Sequence, residues 1–314
     1  MAWGRLITGG LILGLVAGNG GAGAQEQTPP VAAFKSSIDM VRIAAVVRDS
    51  KGRFVQDLTK RDFEVLDNGQ TRPISDLQND LAGVSVAVLF DVSGSMEGHM
   101  PYAREAATHL LSWLNGYNDE AAVFTFDTHL DERAPFTTGL HTLPDSLTSV
   151  VPFGATSLHD AIAETARRLS KRAGKRRAVV VLTDGNDNAS RLSPSEVSGI
   201  ASEIDVPVYL FGIVPSIDNP TSDFATNSIA QASLGGPLSD LATWTGGHTF
   251  VASTPGQRSA AARQIVDELR HQYLIAFEAS GNPGWHPLVV RANKKDLVVR
   301  TRSGYIAGQS RPSV

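Results

Sequence analysis

Asp91, Ser93 and Ser95 occupy alternate positions in "LFDVSGSMEG" (89–98), directly after an apolar run. Side-chain oxygens spaced this way at the end of a buried-type strand make either a polar turn or a set of donors for a ligand. Two later segments bring the same kind of group. Thr156 lies in "FGATSLHD" and Asp184 ends "AVVVLTDG". All five are hard oxygen donors with no histidine among them, which suits Mg²⁺, Mn²⁺ or Ca²⁺ rather than zinc or copper. An ion such as Mg²⁺ keeps water and takes only part of its shell from protein.

The elements that must position these groups alternate. "VSVAVLFD" is a continuous apolar strand of the kind buried on both faces of a parallel sheet. A helix follows at 102–114, a strand at 120–127, a helix at 156–172 opened by Thr156, and a strand at 177–185. Helix 193–204 and strand 206–214 continue the pattern. A short helix at "LSDLATWT", a strand at "HTFVAS" and a helix from about Gln257 to His271 complete it. Strands alternating with helices predict a doubly wound, mostly parallel α/β sheet, whose ligand groups gather at the strands' carboxyl ends. The flanks read differently. "VRIAAVVRDSKGRFV", a hairpin at Asn68-Gly69, and the segments "QYLIAFEA", "HPLVVRAN" and "KDLVVRTR" are short strands. Neither flank is long enough for its own core, so residues 35–80 and 272–307 are expected to form one small β-rich domain with 81–271 inserted between them.

The chain has 314 residues, 42% hydrophobic and 19% charged, an ordinary globular composition. A net charge of −4 argues against a nucleic-acid partner. With zero cysteines there are no disulfides, no thiol catalysis and no cysteine-based zinc site. At the amino end, Arg5, an apolar stretch from Leu6 to about Ala17, and Ala22-Gly23-Ala24 read as a secretory signal cleaved after Ala24. The stretch is shorter than a membrane span, so an exported chain, periplasmic or secreted, with no stable membrane insertion after cleavage is expected. Residues 25–34 read as a flexible leader and 308–314 as a tail.

"DVSGS", the later Thr156 in "GATS", and Asp184 in "LTDG" resemble the metal-ion-dependent adhesion site of von Willebrand factor A domains in order, spacing and strand context. The resemblance covers residues 81–271. It implies that Ser93 and Ser95 ligate the ion directly, Thr156 directly or through water, and Asp91 and Asp184 as ligands or as acceptors for bound water. It further implies a non-enzymatic binding role in which an Asp or Glu carboxylate of a protein partner completes the shell. The flanks are similar to exported bacterial proteins called VWFA-related, first noted in Acidobacteria.

Other readings compete. An envelope scaffolding or assembly subunit would work through its β domain. A Mg²⁺-dependent hydrolase of phosphatase type would use a strand-end aspartate, but the second aspartate expected two residues on is absent at Ser93. Ser93 and Ser95 lack a G-x-S-x-G elbow, and the eight histidines offer no H-E-x-x-H pair. His159, Asp187 and Asn188 are candidate rim residues, as are Asp218 and Asp223 in the long connection 215–237, which is expected on the same face and able to shape partner choice. The basic run "RRLSKRAGKRR" (167–177) reads as a solvated helix end on the opposite face. The last helix either couples to the metal site or acts as a strut.

Overall fold

The computed structural model describes residues 40–79, 83–114, 117–172, 176–185, 187–203, 205–214, 234 and 236–307. The expected signal sequence, leader and tail lie outside the described residues, as do Asp218 and Asp223.

Six strands form the central sheet: β5 (Val84–Asp91), β6 (Glu120–Phe126), β7 (Leu130–Thr138), β8 (Arg176–Thr183), β9 (Val208–Ile213) and β10 (Thr249–Ala252). Their order is β10-β9-β8-β5-β6-β7. All neighbours run parallel except β7, which is antiparallel to β6. Every residue of β5 is buried, because helices cover both faces of the sheet. Helices α1 (Met100–Ser112) and α5 (Pro255–Arg270) share one core with the sheet. Helices α2 (Leu158–Ser170), α3 (Pro194–Glu203) and α4 (Pro237–Trp244) share the other. Thr254 and Gln257 form a capping box at the start of α5, the reciprocal pairing that fixes a helix start.

Strands from both chain ends build two further sheets. One has the order β13-β1-β11-β4, from Leu297–Thr301, Met40–Asp49, Gln272–Glu278 and Ile74–Gln78. The other has the order β14-β12-β2-β3, from Gly304–Ala307, Gly284–Ala292, Phe63–Asp67 and Gln70–Arg72. Ile43, Val65, Tyr273, Ile275, Phe277 and Val290 join in a single core between them. At the β2–β3 turn Asn68 and Gly69 take φ of 54° and 77°, the left-handed pair that a two-residue hairpin requires. This base and the α/β layer form one compact unit.

Three details depart from the sequence reading. Strand β7 was not expected; it is a mostly exposed edge strand, a place where Pro135 costs no ladder bond. Helix α2 begins at Leu158 with Ser157 as its cap, so Thr156 precedes the helix. The amides of Asn188 and Ala189 both donate to the Thr156 carbonyl, which is therefore tied to the neighbouring loop. The basic run is not all solvated. Arg176 is buried and donates to the Gln272 carbonyl at 2.8 Å, and Arg172 pairs with buried Glu120 at 2.6 Å.

Candidate metal site

The carboxyl ends of β5 and β8 lie side by side, with Phe90 in register with Leu182. Asp91 and Thr183 are each the next residue, and there the Thr183 hydroxyl donates to Asp91 Oδ2 at 2.7 Å. Asp91 Oδ1 accepts the Ser93 amide at 2.9 Å, which turns the chain sharply after the strand. The turn continues as a short 3-10 segment, Gly94–Met96, pinned beneath by buried Met96. It sets Ser93 Oγ and Ser95 Oγ 3.1 Å apart. Asp91 and Ser93 are buried, and Ser95 is exposed.

Thr156 reaches the same rim through backbone ties. The Gly94 amide donates to the Gly154 carbonyl at 3.0 Å, and the Phe153 amide to the Val92 carbonyl at 2.9 Å. The Thr156 amide donates to Asn188 Oδ1 at 2.8 Å, so the loop after β8 is laced to the loop before α2. Asp187 Oδ2 reinforces the lacing. It accepts the His159 amide at 2.9 Å and the Ser190 hydroxyl at 2.6 Å, and lies 3.1 Å from His159 Nδ1. Asp187 and Asn188 therefore shape the rim by holding backbone. Burial lowers the His159 pKa, only partly offset by Asp187 and Asp160. Its Nε2 has no hydrogen-bond partner among the described residues, and the Ser190 hydroxyl donates to Asp187.

Burial pushes the Asp91 carboxyl up to about 6; Ser93 and Thr183 pull it down and the nearby Asp184 charge adds to the rise. Asp184 itself is mostly buried, and its Oδ1 has no hydrogen-bond partner among the described residues. His99 Nδ1 lies 3.9 Å from Asp184 Oδ2, too long for a hydrogen bond. A buried carboxylate oxygen without a donor is costly. A hard divalent cation is a partner that such an oxygen fits, and the hydroxyls of Ser93, Ser95 and Thr156 are donors of the right chemistry. Among the described residues no cluster of three or more His, Cys, Asp or Glu has metal-holding geometry, so a cation here must draw on hydroxyls.

Thr183 and His99 were not singled out from the sequence. Thr183 carries a signal in hindsight, a polar residue placed immediately before a strand-end aspartate. His99, at the start of α1, offers none.

Residues 86–186 match the family described as von Willebrand factor type A domain, and the matched segment runs from β5 through the loop after β8. Over those residues the chain is similar to a von Willebrand factor A-type domain. No curated protein matches the chain. Among solved structures it is similar to an aerotolerance-related membrane protein from Bacteroides fragilis (20% identity, 60% of this chain and 98% of that one, TM-score 0.48). It is also similar to a von Willebrand factor type A protein from Catenulispora acidiphila (14% identity, 87% and 75% covered, TM-score 0.47). BatB from Bacteroides thetaiotaomicron is a third (18% identity, 59% and 98% covered, TM-score 0.47). Likenesses this distant say nothing of partner or activity.

Proposed function

We propose that this chain is an exported, non-enzymatic binding protein of adhesion type that engages an acidic group on a protein partner through a divalent cation, Mg²⁺ or Mn²⁺ in first place. The likeness to an A-type domain supports a protein-interaction role in general. The observation that carries the cation reading is Asp184 Oδ1, buried and without a hydrogen-bond partner among the described residues, on a carboxylate close enough for its charge to act on Asp91. Ser93, Ser95 and Thr156 would hold the ion with uncharged oxygens, and Asp91 and Asp184 would hold it directly or through water. A shell so little neutralised retains affinity for an incoming carboxylate. Thr183 fixes the Asp91 carboxylate, and Asn188 fixes the strand-to-helix loop that carries Thr156.

Export rests on the amino-terminal sequence. Among the described residues no helix is long and apolar enough to cross a membrane. Sequencing the amino terminus of the protein recovered from the envelope or medium should give Gln25.

The test of the cation is thermal unfolding in EDTA and in millimolar Mg²⁺, Mn²⁺ or Ca²⁺. A ligand at a hundredfold excess over its Kd stabilises the folded state by about 2.7 kcal/mol. That shift should appear in the parent chain and vanish in Asp184→Ala and Thr156→Ala. Superimposable melting curves with and without chelator would remove the cation from the proposal.

A further inference from the structure

The loop between β7 and α2 carries two large apolar side chains out into solvent. Val151 and Phe153 are each 80% exposed. They do not sit on a slack segment. Arg104 of α1 donates from Nε to the Leu147 carbonyl at 3.2 Å and from Nη2 to the Val150 carbonyl at 3.4 Å. Leu147 is buried in the core beneath, and Val150 packs against the same core. The Phe153 amide and the Gly154 carbonyl are bonded to Val92 and Gly94, on either side of Ser93. Pro152 stiffens the stretch between the two apolar residues. The protein therefore holds an aliphatic and an aromatic side chain in water, at fixed positions, against the tendency of such groups to be buried. The backbone that carries them is bonded to the turn that bears the hydroxyl pair of the candidate metal site.

We infer that Val151 and Phe153 are the apolar half of a two-part recognition surface, whose occupant is an extended protein segment with an Asp or Glu beside a bulky apolar residue. The inference rests on the cation reading above and adds the identity of the neighbouring side chain. Continuity decides the occupant. Gly94 lies between Ser93 and Ser95 and its amide is bonded to the residue after Phe153, so the apolar pair and the hydroxyls stand on two adjoining, bonded turns that one extended segment can reach together. Charge decides the order of dependence. Asp91 and Asp184 repel an anion in the absence of a cation, so the acidic contact needs the metal and the apolar contact does not. Pre-ordered apolar anchors at the centre of a small interface are where binding energy concentrates.

The experiment is selection of a phage-displayed library of random linear peptides against the full chain in Mg²⁺, followed by titration of a synthetic winning peptide. Winners should share an Asp or Glu next to Leu, Ile, Met, Phe or Trp. The variant Val151→Ser/Phe153→Ser should bind the peptide about tenfold or more weakly. It should retain the magnesium-dependent thermal shift of the parent, which shows that it folds and holds the ion. Asp184→Ala should lose both binding and shift. Winners without an apolar neighbour, undiminished binding by the double variant, or no enrichment at all would overturn the inference. Apolar peptides held equally well in EDTA would overturn the cation reading and the acidic half of this one with it. Dimers of the parent chain that the double variant dissolves would make a second copy the occupant and overturn the peptide assignment.

Discussion

The Thr183 hydroxyl donates to Asp91 Oδ2 at 2.7 Å while accepting the Gly185 amide at 3.0 Å. One side chain thus fixes the carboxylate at the end of β5 and starts the turn that carries Asp184. Thr183→Val keeps the shape and removes both bonds in a buried setting. Unsatisfied buried groups of this kind cost roughly 1–3 kcal/mol each. The variant should show a lower urea midpoint with an unchanged slope, and a smaller magnesium-dependent thermal shift than the parent. A midpoint equal to the parent's would mean that Asp91 is held by Ser93 alone.

How much of this was legible depended on whether the governing contacts are local. The eight apolar residues of β5 announce a strand buried on both faces, and Asn68-Gly69 announces its hairpin, because each property belongs to a few consecutive residues. Asp91, Ser93 and Ser95 stand out because polar residues at alternate positions interrupt an apolar run. The edge strand β7 was invisible: its exposed and buried residues do not alternate cleanly and it contains a proline. The exposure of Val151 and Phe153 follows from where Arg104 of α1 anchors the loop, a contact that no local pattern announces. Arg176 reads as one more charge in a basic run, and only the folded chain brings it to the Gln272 carbonyl. Contacts across more than two hundred residues, such as Arg48 with Glu268, leave no local trace at all.

Glu268 on α5 is buried between Arg48 of β1 and Arg300 of β13, with Gln264 also donating to it. Burial alone would raise its carboxyl pKa, but Arg300 and Arg48, with Gln264, outweigh that and hold it below the ordinary range. A depressed folded value means that the unfolded chain takes up the proton first as pH falls. Stability from this group is therefore fully present above the ordinary glutamate value and lost as pH drops through the folded one. Glu268→Gln leaves two guanidinium groups without their anion and should cost about 3–5 kcal/mol at neutral pH. The difference between parent and variant should shrink below about pH 4.5, read from urea midpoints across a pH series. A difference that stays constant down to pH 3 would show that the carboxylate is not what the arginines stabilise.

Gly247 approaches the neighbouring backbone so closely that an added Cβ would lie 1.9 Å from the Val208 carbonyl oxygen and 2.5 Å from its carbon. Backbone cannot move aside as a flexible side chain can, so Gly247→Ala must displace the turn leading into β10 from the start of β9. The expected loss is more than about 3 kcal/mol, in the range of severe core substitutions. Gly98 has nothing within 4 Å of the same position, and Gly98→Ala should stay within about 0.5 kcal/mol of the parent. Comparable thermal midpoints for the two variants would contradict the packing of β9 against this turn.

Asp67 joins the two ends of the chain inside the β-rich base. It is fully buried, with His286 Nδ1 at 2.7 Å from Oδ1, Arg72 Nε at 3.0 Å from Oδ2 and the Tyr305 hydroxyl at 3.3 Å from Oδ2. Burial, with the Asp67 charge adding, pushes the Tyr305 hydroxyl up to about 12, so it stays protonated and donates. Three donors from β3, β12 and β14 thus depend on one carboxylate of β2. Asp67→Ala should cost about 3–5 kcal/mol, because it strands a cation and two polar hydrogens away from water. Asp67→Asn, which keeps one acceptor oxygen, should cost less. Because β2 comes from the amino-terminal flank and β12 and β14 from the carboxy-terminal one, the loss should appear as faster hydrogen exchange in both flanks together. Faster exchange confined to 63–72 would show that β12 and β14 hold without Asp67, and that the base is not a single cooperative unit.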